Sequence, residues 1–320
     1  VIISRTPFRI SFAGGGTDLK AFYCHEPGAV VSTTINKYMY LTVNARFDHT
    51  VRVSYRKTEI VETADEIEHP LVREALKKVG LLNGIEVTSI SDIPAGTGIG
   101  SSSSFTVGLL NALYAHTGTH APAERLASEA CQIEIDIVGE PIGKQDQYIA
   151  AYGGLQYIRF NPDETVFVDP VVCSRELKRA LSDRLMLFYT GITRAAGDIL
   201  SRQQKETPNK FDLLRQMAHL AGEIRRIFQE NRNLDEFGEL LHEGWMLKRE
   251  LTSGITNELV DTAYERARRA GAIGGKLLGA GGGGFLLLYV PDDCRDKVRQ
   301  TLAELREIPF DLEPQGTKIV

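Results

Sequence analysis

The stretch that most constrains this chain is Ile93-Pro94-Ala95-Gly96-Thr97-Gly98-Ile99-Gly100, followed by four serines, Ser101, Ser102, Ser103 and Ser104, and then an apolar helical pattern through Phe105, Leu109 and Leu113. A plain capped helix after a loop needs one serine and at most one glycine, so three alternating glycines and four serines ask for another reason. A glycine-rich loop feeding a serine-capped helix aims several unpaired N–H groups outward at the positive end of the helix dipole. That is an anion site suited to phosphates, and the serine hydroxyls are hard-oxygen ligands suited to Mg²⁺. The residues expected to line the anion site are Pro94, Gly96, Thr97, Gly98, Ile99, Gly100, Ser101, Ser102 and Ser103, with the amides of 96–103 holding the phosphates.

A second tract, Gly279-Ala280-Gly281-Gly282-Gly283-Gly284, matches the dinucleotide pattern G-x-G-x-x-G and raises a Rossmann dehydrogenase as a rival. That fingerprint must follow a strand and open a helix. Here the following residues, 285–290, read as a strand, and too little chain remains for the rest of a doubly wound domain. A Walker loop fails too, because Gly275-Lys276 is followed by Leu277 and position 270 is alanine. Five glycines in six residues instead suggest close approach to something bulky. The third tract, near the start, is an apolar strand over 8–13 running into Gly14-Gly15-Gly16-Thr17-Asp18, a tight turn that delivers a polar pair suited to sugar hydroxyls.

Periodicity organises the rest. Residues 38–46 alternate Met39, Leu41, Val43 and Ala45 against polar neighbours, as a half-buried strand should, and 51–61 reads as the strand beside it. Leu126, Ala130, Ile133 and Ile137 follow helical spacing between Pro122 and Gly139. Three more helices are expected through Leu213 to Phe228, Leu234 to Trp245, and Leu259 to Ala267. With 320 residues two domains are expected, divided in the polar stretch before the apolar run 185–189 as 1–178 and 179–320. The net charge of −5 supplies no field to hold nucleic acid or an anionic membrane, so an anionic substrate needs a local basic pocket. The longest wholly apolar run is the six residues 285–290, far short of a membrane span, and no signal peptide is visible at Val1-Ile2-Ile3. Four scattered cysteines without a C-x-x-C argue against zinc and disulfides and fit a reducing cytoplasm. Nothing in the sequence fixes the oligomeric state.

Taken together, the motifs at 5–18, 94–104 and 276–284 resemble the GHMP kinase superfamily, in family order and across the whole chain. The resemblance implies an α+β fold of two domains: an N-terminal domain like domain 2 of ribosomal protein S5, and a ferredoxin-like C-terminal domain. It implies ATP and Mg²⁺ in the cleft between them. It also makes a fourth segment readable, Glu134 through Gln147. In the galactokinase branch a Mg²⁺-binding Glu lies twelve residues before the catalytic Asp, and Glu134, Gly139, Pro141, Gly143 and Asp146 match that spacing. Asp136 competes with Glu134, but two helical positions are about 200° apart and cannot face one ion. By resemblance Asp146 orients or deprotonates the acceptor hydroxyl, Arg9 helps neutralise the transition state, and Ser102 with Glu134 holds Mg²⁺.

The triplet Gly14-Gly15-Gly16 before Thr17-Asp18 departs from the Gly-Glu-His-Thr-Asp of galactokinases. The wording of 4–12 with that triplet, and Gly143-Lys144-Gln145-Asp146-Gln147-Tyr148, look most like the branch acting on D-glycero-D-manno-heptose 7-phosphate, with the fucokinase domain as near neighbour. The resemblance implies transfer to the anomeric hydroxyl of a sugar phosphate. Expected substrate contacts are Gly15, Gly16, Thr17, Asp18, Gly281 and Gly282, with Lys144, Arg194 and Lys248 as candidate cations for the phosphate. A non-catalytic sugar-phosphate sensor of the same fold is the alternative of a different class.

Overall fold

The computed structural model describes residues 1–193 and 197–320 and sorts the chain into two sheets. In chain order the strands are β1 (Ile2–Ala13), β2 (Gly28–Ala45), β3 (Val51–Ser54), β4 (Thr58–Val61), β5 (Ile85–Ser91), β6 (Leu155–Phe160), β7 (Val166–Pro170), β8 (Leu185–Tyr189), β9 (Gly274–Leu277), β10 (Phe285–Tyr289), β11 (Arg306–Glu307), β12 (Leu312–Glu313) and β13 (Lys318–Ile319). The helices are α1 (Lys20–Tyr23), α2 (Pro70–Val79), α3 (Ser101–His116), α4 (Ala123–Cys131), α5 (Gln145–Tyr152), α6 (Arg175–Arg184), α7 (Gly197–Glu206), α8 (Phe211–Gln229), α9 (Leu234–Arg249), α10 (Glu258–Ala270) and α11 (Arg295–Thr301).

The alternating run at 38–46 is the second half of β2, which is 18 residues long and serves as the spine of the larger sheet. Its first half pairs with β6 and its second half with β5, while β1 runs antiparallel along its other edge. Only β3 with β5 is parallel. The run 51–61 is therefore not the neighbour of 38–46. It folds as the hairpin β3–β4, and β5 intervenes because it offers β2 a seven-residue register, Met39↔Ser91 to Ala45↔Ile85, where β3 has only four residues.

The smaller sheet, β11-β8-β10-β9, is antiparallel throughout. The dividing line expected at 178/179 falls inside α6, and the last residues do not stay with the second half. β12 pairs with β2 and β13 with β1, so the chain returns to the first sheet. Thr6 and Thr317 join their hydroxyls at 2.8 Å.

The core beneath the larger sheet is built on α3. Gly108 lets this helix sit so close to β1 that a Cβ there would meet Thr6 Oγ1 at 2.5 Å, and Ser104 Oγ donates to Pro7 O at 2.9 Å. Apolar packing continues between the halves, with Phe12 of β1 edge-on to Phe237 of α9 at 5.0 Å. Among the described residues no helix is long and apolar enough to cross a membrane.

Candidate functional site

The loop at 94–100 folds as its glycines require. Gly96, Gly98 and Gly100 all have positive φ, near 78°, 81° and 75°, alternating with residues that bear side chains. The first bond inside α3 is Ser104 N to Gly100 O, so the N–H groups of Ser101, Ser102 and Ser103 have no acceptor within the helix. Together these amides form a concave nest of the kind that holds anions. The side chains behave differently from one another. Thr97 is buried and its hydroxyl donates to Pro94 O at 2.9 Å, closing the loop on itself, and Ile99 is buried as an anchor. Pro94, Gly96 and Ser102 remain exposed.

Arg9 holds this loop to a carboxylate. Its Nε and Nη2 form a fork on Asp146, at 2.6 Å and 2.7 Å, and its Nη1 donates to Gly98 O at 2.6 Å. Its backbone N–H donates to Ile99 O at 3.1 Å. Arg9 is only 4% exposed, so this planar bidentate contact fixes the Asp146 carboxylate in place. A Cβ on Gly100 would lie 3.2 Å from Asp146 Oδ2, which puts that carboxylate against the start of α3.

Glu134 is fully buried. It accepts hydrogen bonds from Ser103 Oγ at 2.8 Å, Thr106 Oγ1 at 2.8 Å, Ser102 Oγ at 3.1 Å and the Gln147 amide. Burial pushes its carboxyl above the ordinary range, against the pull of these neutral donors. A carboxylate and serine hydroxyls are hard oxygens, so the donor set fits Mg²⁺. Thr106 and Gln147 were not foreseen as partners. The reason Glu134 points inward is a turn of π-helix over Gln132–Ile137 that continues α4. It breaks the 3.6-residue register, burying Glu134 beside Ile133 and leaving Ile137 at 51% exposure, whereas the sequence pattern placed Ile137 on the apolar face. Asp136 is exposed.

The second glycine tract answers its sequence puzzle with protein backbone. Added Cβ atoms would come within 2.4 Å of Gly98 Cα from Gly279, 2.3 Å of Thr97 O from Gly284, and 2.6 Å of Ile255 O from Gly281. Gly281 and Gly282, expected at the substrate, pack instead on 255–257: Gly282 N donates to Ile255 O at 2.8 Å, and Asn257 Nδ2 donates to Gly282 O at 3.1 Å. Lys248 is also turned inward, donating to Leu277 O at 3.1 Å and Gly279 O at 2.5 Å, so its ammonium is occupied by backbone carbonyls. Burial and the nearby Arg9 pull its ammonium down to about 7. Lys276, buried on β9, donates to Phe12 O at 3.0 Å across the two halves.

On the acceptor side, the Thr17 hydroxyl turns into the loop's own backbone. It is fully buried, donates to Gly14 O at 2.7 Å and accepts from Ala29 N at 3.0 Å, which uses its hydroxyl to shape the turn. Asp18 accepts from Gly16 N at 2.9 Å and Gln145 N at 3.2 Å, clamping the glycine turn to the start of α5, and burial raises its carboxyl. Gly15 stands opposite the Gln145 amide and Gly16 opposite that of Gln203, a buried residue of α7 that periodicity did not single out. Lys144 is paired with Glu164. Arg194 lies outside the described residues.

Comparison with known proteins gives the same family from several sides. The model of the GHMP kinases N terminal domain matches residues 60–154, and that of the GHMP kinases C terminal matches 214–306. A D-glycero-alpha-D-manno-heptose 7-phosphate kinase of Campylobacter jejuni is 29% identical over 90% of this chain and 89% of its own. A bifunctional fucokinase/GDP-fucose pyrophosphorylase of Arabidopsis thaliana is 27% identical over 96% of this chain, which spans only 31% of that longer protein. In fold, the chain superposes on a D-glycero-D-manno-heptose 1-phosphate kinase structure from Bacteriodes thetaiotaomicron with a TM-score of 0.83 at 22% identity, covering 100% of this chain and 99% of the other. With both domain models matched in order and more than half of its length within them, the chain belongs to the GHMP kinase family.

Proposed function

We propose that this chain is an ATP-dependent kinase that phosphorylates the anomeric hydroxyl of D-glycero-D-manno-heptose 7-phosphate, giving the 1,7-bisphosphate. The observation that carries the reading is the Arg9–Asp146 fork set against the nest at the start of α3, which brings a carboxylate for an acceptor hydroxyl beside amides for a phosphate. Phosphoryl transfer needs mostly positioning and charge stabilisation, and each part has a residue here. The amides of 96–103 hold the phosphates, Ser102 and Glu134 hold Mg²⁺, Asp146 orients the hydroxyl and takes its proton, and Arg9 offsets charge on the transferring group. When bound, Mg²⁺ supplies Lewis-acid neutralisation of the phosphate oxygens. The heptose assignment draws its support from the Campylobacter relative, which aligns over nearly the whole of both chains.

A second reading, a kinase of neutral sugars such as fucose, is favoured by the state of the described cations. Lys144 is held by Glu164 and Lys248 by two carbonyls, so a phosphate must displace a partner to reach either. ATP turnover with heptose 7-phosphate, free heptose, fucose, galactose and mevalonate separates the readings. The first expects the highest kcat/KM with heptose 7-phosphate; a neutral sugar used equally well overturns it, and no turnover with any of them points to a sensor.

A further inference from the structure

Three donors from two separate segments close on a single carboxylate beside the acceptor loop. Lys144 Nζ, just before α5, bonds Glu164 Oε2, Lys20 Nζ, opening α1, lies 2.9 Å from Glu164 Oε1, and Tyr23 OH, closing α1, donates to Oε2 at 2.9 Å. The Lys144 ammonium also rests 4.7 Å from the centre of the Tyr23 ring. Glu164 reaches this point from the turn between β6 and β7 with φ near 69°, a left-handed conformation that costs an L residue with a side chain. These donors bring its carboxyl down to about 2. The cluster is tied to the proposed chemistry, because Lys144 N donates to Asp18 O at 3.3 Å and Asp146 follows two residues later.

Two ammonium groups and a phenol around one point form the donor set of a phosphomonoester site, and a carboxylate is the nearest internal imitation of that ligand. We propose that Lys20, Tyr23 and Lys144 bind the phosphate carried by the acceptor sugar, and that Glu164 occupies their site as an internal anion until that phosphate displaces it. The inference rests on the kinase reading above and names where it recognises its substrate. Access is built in: the Lys20 and Glu164 side chains are 62% and 45% exposed, so Glu164 leaves by rotating into solvent. A dianion offers three oxygens and nearly two charges where Glu164 offers two oxygens and one, so both lysines gain by the exchange. A neutral sugar has nothing to offer in that exchange and leaves the cage closed.

The test titrates inorganic phosphate and heptose 7-phosphate separately into the full chain, followed by calorimetry, and measures kcat/KM with heptose 7-phosphate and with free heptose, for the variants Glu164→Gln, Lys20→Met and Lys144→Met. Glu164→Gln should tighten both ligands by roughly tenfold, since it removes the competing charge. Each lysine variant should lower the preference for phosphorylated over free heptose on the order of tenfold. Lys20 is exposed, so its replacement tests the cage without opening a buried cavity. Glu164→Gln leaving both affinities unchanged, or lysine variants that slow the two sugars equally, overturns the proposal. If no heptose is turned over, the function reading falls, while the phosphate titration still decides whether the cage binds an anion.

Discussion

Asp146 and Arg9 are held so closely that changing one must alter the other. Asp146→Asn keeps the volume but removes the carboxylate that the guanidinium grips, and under the function proposed above it also removes the base for the acceptor hydroxyl. We expect kcat to fall by more than tenfold, a loss above ~1.4 kcal/mol, with nucleotide affinity in equilibrium titration nearly unchanged. Glu134→Gln removes an anionic oxygen from a fully buried site and should raise the Mg²⁺ concentration needed for half-maximal rate. An unchanged Mg²⁺ titration would remove Glu134 from the metal site. Lys248 predicts a pH effect on stability. Its ammonium is drawn down to about 7 from the ordinary 10.5, so between those values the unfolded chain holds a proton that the folded chain has released. Stability should therefore rise with pH from about 7 upward, by at most roughly 1.4 kcal/mol per pH unit from this group. Lys248→Met should flatten that slope in denaturant titrations from pH 7 to 9; parallel slopes would refute it.

At the scale of elements, the two glycine loops depend on each other. Gly98 has φ near 81° and lies where a Cβ would meet Leu278 O at 2.7 Å, so Gly98→Ala strains the backbone and pushes the second loop away. A cost of about 1–3 kcal/mol should appear as a lowered Tm, together with weaker nucleotide binding; a Tm within one degree of the wild type would show that the loops are separable. What the sequence made legible here was geometry set by local spacing. The glycine and serine run needs no distant partner to define it, and the twelve-residue step from Glu134 to Asp146 stays within one loop and its flanking helices. What it hid depends on partners far along the chain. Thr106 and Gln147 reach Glu134 only because a π turn rotates it inward, and hydrophobic periodicity carries no signal for that turn. Glycines 279–284 are ambiguous in sequence because a close approach looks the same whether the neighbour is a ligand or residue 98. The use of the Thr17 hydroxyl within its own buried turn was hidden too, because its partner Ala29 N comes from the next strand.

The molecule as a whole is closed by its final strands. β12 and β13 lie against β2 and β1, the Tyr38 hydroxyl donates to Glu313, and Asn111 Nδ2 donates to Thr317 Oγ1 at 3.1 Å. Removing residues 311–320 should therefore destabilise the first half, lowering its Tm by several degrees, although the deleted residues lie far along the chain from β7, the strand of that sheet that precedes them. A truncated chain that melts like the full one would mean these strands only decorate the sheet. The same pairing also governs when the fold can form. A strand opening at Ile2 waits for a partner beginning at Lys318, so the first sheet is completed only after the second sheet has been made. Such long sequence separation slows folding, and it leaves the β1 edge open until residues 318–319 have been made, an interval in which a chaperone or a second nascent chain could pair with it.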